Sequence, residues 1–293
     1  MVYAMEELAW GEVRRLGHRG ALFMLPIGPL EDHGPHLPCG VDWFTAREMT
    51  RELAEALSAR HQTEVVVLPP LALGASLLYS LGCVRIPVST MGKVVEKVGM
   101  ELAREGVRKA VVVTTHGAIS HLAVLDRACA RVSRNSRLHM ISPCRQIIMH
   151  FLSGGLRKEL EAELGRSLGE QTWKSLTSDY HAGAWETGLM LRYRPDLVAE
   201  FHRELPPHRV EVGALTGVRG LNTHRGYFGD PALGSKELGD VAAGVLIERG
   251  VEVLEQFLER PKQPSSNRWW GWAVAALVGV GLGVAYQRSK SDE

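Results

Sequence analysis

The 293-residue chain holds only four cysteines, Cys39, Cys83, Cys129 and Cys144, and no two stand at CxxC spacing. That scarcity excludes a disulfide framework and a zinc ribbon, and it suits a reducing compartment. An excess of one charge sign is also missing: 34 lysines and arginines face 33 aspartates and glutamates, for a net charge of +1. Proteins that coat nucleic acid usually carry a basic excess or stripe, so no nucleic-acid partner is expected. The first ten residues include Glu6 and Glu7 and lack a basic stretch followed by an apolar one, which is not the pattern of a secretory signal. The body of the chain is therefore expected in the cytoplasm. No internal repeat is visible.

What is present suffices for a sizeable core: 45% of residues are hydrophobic and 23% charged, so residues 1–260 read as one large domain. Apolar or β-branched runs at 21–27, 64–68, 109–115 and 138–142 read as strands. Between them, 44–60, 90–106 and 121–134 show helical spacing, with Ser89 as the expected N-cap of the second. Residues 145–176 look helical and charged, like an insertion or lid, and their run at 157–166 reads as a solvated helix face. A long helix over 236–260, capped by Ser235, closes the domain. Strands alternating with helices imply an α/β fold: a three-layer α/β/α sandwich around a mostly parallel sheet.

The mean hydropathy of -0.06 conceals a second part. Residues 269–286 contain no charge, and as a helix would span about 27 Å, close to a bilayer core. Trp269, Trp270, Trp272 and Tyr286 stand where interfacial aromatics belong, with Arg268, Arg288 and Lys290 outside them. Four glycines and four alanines in the run speak for a buried helix instead. The Pro/Ser-rich linker at 261–268 detaches the run from the domain and favours a single-pass transmembrane anchor, with a polar tail at 287–293.

Chemistry concentrates where strands end. Glu31, His33, His36 and Asp42 follow the first strand, His116 follows the strand ending at 115, and Asp179, Tyr180, His181 and Glu186 form a third group. Imidazole and carboxylate are the ligand set of zinc, manganese or ferrous iron. A single such cluster is as readily a turn held by backbone hydrogen bonds; three of them, two at strand ends, favour a metal site.

The stretch Leu25 to Pro38 with Asp42, then His116 and Gly117, then 179–187, then Gly229, Asp230 and Pro231, resembles the ordered motifs of the creatininase (creatinine amidohydrolase) family over roughly residues 5–258. The resemblance implies a two-metal site, with zinc first and manganese or iron as alternatives, that hydrolyses non-peptide or cyclic amides. It implies Glu31, His33, Asp42 and His116 as ligands with Asp42 bridging, His181 as the proton shuttle, and Asp179 orienting it. Ala118 stands where creatininase proper has a ligand glutamate, and Ile119 also departs from the family pattern. Glu186 is the natural replacement, because spacings of four or five bring it to the side of His181. Ser178 and Tyr180 flank Asp179 where a tryptophan would precede the shuttle, which argues against creatinine as the substrate.

A metal-acidified water attacking the amide, with His181 protonating the leaving nitrogen, is the expected mechanism. His36 and Tyr180 are expected behind the ligands or in the pocket wall, with specificity set by 70–90 and 145–180. The other histidines are given no role, His121 being read as surface or cap, and Cys39 is read as a small buried residue. The expected partners are a small-molecule amide, a membrane through the C-terminal helix, and further copies of the chain in a homo-oligomer. A peptide-trimming relative and a non-catalytic, membrane-tethered binding module are the alternatives.

Overall fold

The computed structural model describes residues 1–75, 82–209 and 225–259. At its centre lie strands β1 (Val2–Ala4), β2 (Leu22–Gly28), β3 (Val65–Val67), β4 (Leu71–Ala72), β5 (Lys109–Val113) and β6 (His139–Ile141). They pair in the order β1-β3-β2-β5-β6, with β4 joined to the end of β2. Every strand pairing among the described residues is parallel. The helices are α1 (Trp10–His18), α2 (Val41–His61), α3 (Val88–Arg104), α4 (Ile119–Asn135), α5 (Cys144–Leu152), α6 (Arg157–Leu164), α7 (Glu170–Thr177), α8 (Ala184–Tyr193) and α9 (Lys236–Glu259).

Side-chain alternation along the strands divides the core into two layers. Phe23, Leu25 and Ile27 of β2 and Val112 of β5 bury against α1, α3 and α4, through residues such as Leu16, Val95 and Leu125. Leu22, Met24, Val111 and Val113 bury on the opposite face, against Leu53 and Leu57 of α2 and Val251 and Leu254 of α9. Each such side chain contributes roughly 1.5–3 kcal/mol by leaving water.

Pro26 sits inside the central strand, past the end of its pairing with β3. Leu22 donates to Glu64 and Met24 accepts from Leu68, so the even positions of β2 face β3. Pro26 falls opposite the gap between Val67 and Leu71, where Pro69 and Pro70 interrupt the neighbour and the β2–β3 pairing has ended.

From β2 the chain passes to α2 on one face, and from β5 to α4 on the other. Adjacent strands whose exits diverge open a crevice at their carboxyl ends, and the metal-ligand candidates lie there.

Several element boundaries differ from the sequence reading. α2 begins at Val41 rather than 44, which moves Asp42 from a loop into its first turn. α3 begins at Val88 after Pro87, so Ser89 is inside the helix and is not its cap. Ser235 does cap α9, its Oγ accepting the Leu238 N–H at 3.1 Å. The stretch 145–176 forms helices, yet it is no detached lid: Leu156, Leu160 and Leu176 are buried with Trp185, Leu238 and Ala242. Its charges are tied to α9 through Glu159–Arg249 and Arg166–Glu237 ion pairs.

Among the described residues no helix is long and apolar enough to cross a membrane. The linker at 261–268, the expected anchor at 269–286 and the tail at 287–293 lie outside the described residues.

Candidate metal centre

Four segments deliver the site. The loop after β2 carries Glu31 and His33, and the first turn of α2 carries Asp42. That turn comes close to the strand because residue 28 is glycine: a Cβ there would lie 2.5 Å from the Asp42 carbonyl. His116 follows β5 by three residues, and Glu186 stands in the first turn of α8. His181 is held by an antiparallel bridge to Phe228, whose N–H donates to the His181 carbonyl at 2.7 Å.

These donors form three triads among the described residues: one of Glu31, His33 and His181, and two that share Asp42. Glu31, Asp42 and His116 make one, His33, Asp42 and Glu186 the other, with the donor atoms of each within 4.8 Å of one another. His116 Nδ1 lies 3.3 Å from Asp42 Oδ2 and 3.4 Å from Glu31 Oε1. His33 Nε2 approaches the same Oδ2 at 3.5 Å and Glu186 Oε2 at 3.7 Å. Ligands about 2.1 Å from a tetrahedral ion stand about 3.4 Å apart, so the spacing is that of coordination rather than of hydrogen bonds. Both Asp42 carboxylate oxygens and His33 Nε2 are buried and make no hydrogen bond among the described residues. Leaving such groups unsatisfied costs about 1–3 kcal/mol each, and a cation on either side of Asp42 would satisfy them. The residues fit two divalent ions.

Backbone carbonyls fix the rings. His33 Nδ1–H donates to the Glu31 carbonyl at 2.9 Å, His116 Nε2–H to Ala75 at 3.2 Å and His181 Nε2–H to Asp32 at 2.7 Å. A carbonyl only accepts, so in the neutral ring the other nitrogen keeps its lone pair and turns it toward the carboxylates. Burial, reinforced by His181, pushes His33 down to about 4. Burial also opposes charge on His116, but Glu31 and Asp42 outweigh it and push that imidazole up to about 10. Without cations the surplus carboxylate charge retains a proton on His116; cations would displace it.

Glu186 is aimed by Ala182, whose N–H donates to its Oε2. Ala182 adopts φ 50°, in the left-handed region, a conformation that costs about 1–3 kcal/mol and collects at functional sites.

The remaining expected site residues divide. Tyr180 lines the cavity beside Glu186 and is 39% exposed. His36 lies behind the ligands: it is buried, its Nε2 pairs with Thr187 Oγ1 of α8 at 3.0 Å, and burial pushes it down to about 4.

Asp179 does not hold His181, whose ring turns away to the Asp32 carbonyl. Its carboxylate accepts the Trp185 N–H at 3.2 Å and so caps α8. It is wedged between Gly183 and Gly229, where any Cβ would collide with it. Burial, then Glu186, raises it well above the usual carboxylate range.

His121 is neither surface nor cap but fully buried. It accepts the Ala75 N–H at Nδ1 (3.3 Å) and pairs with Thr114 Oγ1 through Nε2 (3.2 Å). Ala75 and Thr114 are the groups that hold the His116 ring and backbone. The signal was there: 121, 125, 128 and 132 form the buried stripe of α4. Cys39, expected buried, is exposed. Cys144 is buried, and burial pushes its thiol up to about 11, so it is no nucleophile at neutral pH.

A parallel α/β sheet with two carboxylate–imidazole triads sharing a buried aspartate at its carboxyl edge defines a dinuclear metal-dependent hydrolase. Comparison with known proteins gives the family: the creatininase family model, described as creatinine amidohydrolase, matches residues 6–254. The chain belongs to that family of hydrolases, which act on C–N bonds other than ordinary peptide bonds. It is 26% identical over 238 residues to the mycofactocin precursor peptide peptidase of Mycolicibacterium smegmatis, covering 78% of this chain and 81% of the relative. It is 27% identical over 202 residues to the creatinine amidohydrolase of Pseudomonas putida, covering 66% of this chain and 72% of the relative. A solved structure titled creatininase Mn shares the fold, with a TM-score of 0.62 at 21% identity over 89% of this chain and all of that one.

Proposed function

We propose that the chain hydrolyses a small non-peptide or cyclic amide; the observation that carries this is the sharing of buried Asp42 by two donor triads. Glu31, Asp42 and His116 would hold one divalent ion, and His33, Asp42 and Glu186 the other. The nitrogen and oxygen donor set suits zinc first, with manganese or iron as alternatives. Such a pair supplies an acidified water and polarises the amide carbonyl. Glu186 takes the place that Ala118, the residue before α4, leaves without a carboxylate.

The chain's own part is to position and to move a proton. His181 Nδ1 faces Glu31 at 3.6 Å and Glu186 at 4.0 Å. Burial opposes charge on the ring, while Glu186 and Glu31 favour it and raise its pKa. With Nε2–H held by the Asp32 carbonyl, Nδ1 would take the proton the water loses as its oxygen bonds to the carbonyl carbon, and return it to the leaving nitrogen as the C–N bond breaks.

The mycofactocin-peptide relative supports a second reading, trimming of a small modified peptide. Ala118 and Ile119, where the family pattern is lost, favour a non-catalytic binding module; retention of Glu31, His33, Asp42, His116, His181 and Glu186 weighs against it. The reading also includes a homo-oligomer and a cytoplasmic catalytic domain tethered to a membrane by residues 269–286. The uncharged run and its aromatic and basic flanks support the tether.

Full-length protein folded with zinc or manganese and purified in detergent should carry two equivalents of metal. Asp42→Asn should lose both, and Glu186→Ala one. Well under one equivalent in the unaltered protein would sink the hydrolase reading.

A further inference from the structure

We propose that the cavity beside Glu186 and His181 is a pocket for a large apolar group attached to the amide, aliphatic or aromatic. Its place in a reaction rests on the amidohydrolase reading, although its binding does not. The cavity has a volume of about 130 Å³. Met49 and Leu53 from α2, Ile147 and Phe151 from α5, and Leu246 and Ile247 from α9 give it walls of carbon. Among the described residues its charged lining, Asp179 and Glu186 with His181 between them, comes from one short stretch at the head of α8, and neither lysine nor arginine lines it.

The other buried polar groups of the wall are already engaged. Thr115 Oγ1 pairs with Thr45 Oγ1 at 2.7 Å, and Thr114 Oγ1 pairs with His121. Trp185 Nε1–H donates to the Leu176 carbonyl at 2.9 Å, and Cys144 Sγ accepts the Thr114 N–H at 3.2 Å. A compact polar ring placed there would find these buried side-chain donors and acceptors already paired and would lose hydration that they cannot replace. An apolar group loses nothing and gains by burial, with its amide left at the polar end beside the metal ligands. Concave, mostly apolar sites with a few convergent polar groups are the usual form of a small-ligand pocket.

The test titrates the full-length, metal-loaded protein with straight-chain amides from propanamide to octanamide by calorimetry. Ile147→Trp is run in the same detergent; Ile147 belongs to none of the hydrophobic clusters, and a melting curve checks its fold. Affinity should rise about fourfold per methylene, the equivalent of about 0.8 kcal/mol, until the cavity is full. In Ile147→Trp the rise should flatten while propanamide binding persists. A flat series in the unaltered protein overturns the pocket, as does a rise that Ile147→Trp leaves intact. A rising series without hydrolysis of any amide keeps the pocket and overturns the amidohydrolase reading.

Discussion

His121 shows how a ligand can be held without being touched. Its Nδ1 accepts the N–H of Ala75, the residue whose carbonyl orients the His116 ring, and its Nε2 fixes Thr114, whose hydroxyl accepts the His116 backbone N–H. Partners that orient a ligand typically matter 10- to 100-fold in metal affinity. His121→Leu should therefore weaken divalent-ion binding by about 10- to 100-fold, measured against a chelating dye, and His121→Gln should retain more of it. Equal affinity in His121→Leu would reduce the residue to packing. The side chains that the structure gathers were legible in the sequence because each is a carboxylate or imidazole at a strand or helix end. The groups that aim them, the carbonyls of Glu31, Asp32 and Ala75, are backbone atoms that every residue possesses, so no residue type marks them.

At the scale of elements, the site depends on the contact between the end of β2 and the start of α2. The strands were legible because β2 and β5 are continuous apolar runs buried on both faces. The start of α2 was not, because Asp42 puts a carboxylate on the buried face of its first turn, where the helical pattern calls for an apolar residue. The inserted helices were read as a lid because the charges at 157–166 mask Leu156 and Leu160, one turn apart and fully buried. Gly28→Ala isolates the β2–α2 contact. The new methyl would meet the Asp42 backbone, and relief must come from a shift of the first turn of α2, at a cost of about 1–3 kcal/mol. Since both triads use Asp42, metal content should fall from two equivalents to below one while the circular dichroism spectrum and a cooperative melt persist. Retention of both ions with an unchanged melting temperature would mean that α2 accommodates the methyl elsewhere.

For the whole molecule, a net charge of +1 and a mean hydropathy of -0.06 average over two unlike parts. Every lysine, arginine, aspartate and glutamate lies outside residues 269–286, so the averages describe the catalytic body and hide the run that follows it. If that run is the proposed anchor, its four glycines and four alanines give it little insertion energy to spare. One arginine at the centre of a spanning helix costs about 2.5–3.5 kcal/mol, enough to cancel a weak insertion. Full-length protein should float with phospholipid vesicles, and Val278→Arg should remain at the bottom of the gradient. Both should still bind two equivalents of metal, because the linker at 261–268 separates the substitution from the triads. Full-length protein recovered in the soluble fraction without detergent, or Val278→Arg floating as well as the parent, would reject the anchor. Loss of metal in Val278→Arg would instead tie the tail to the catalytic body.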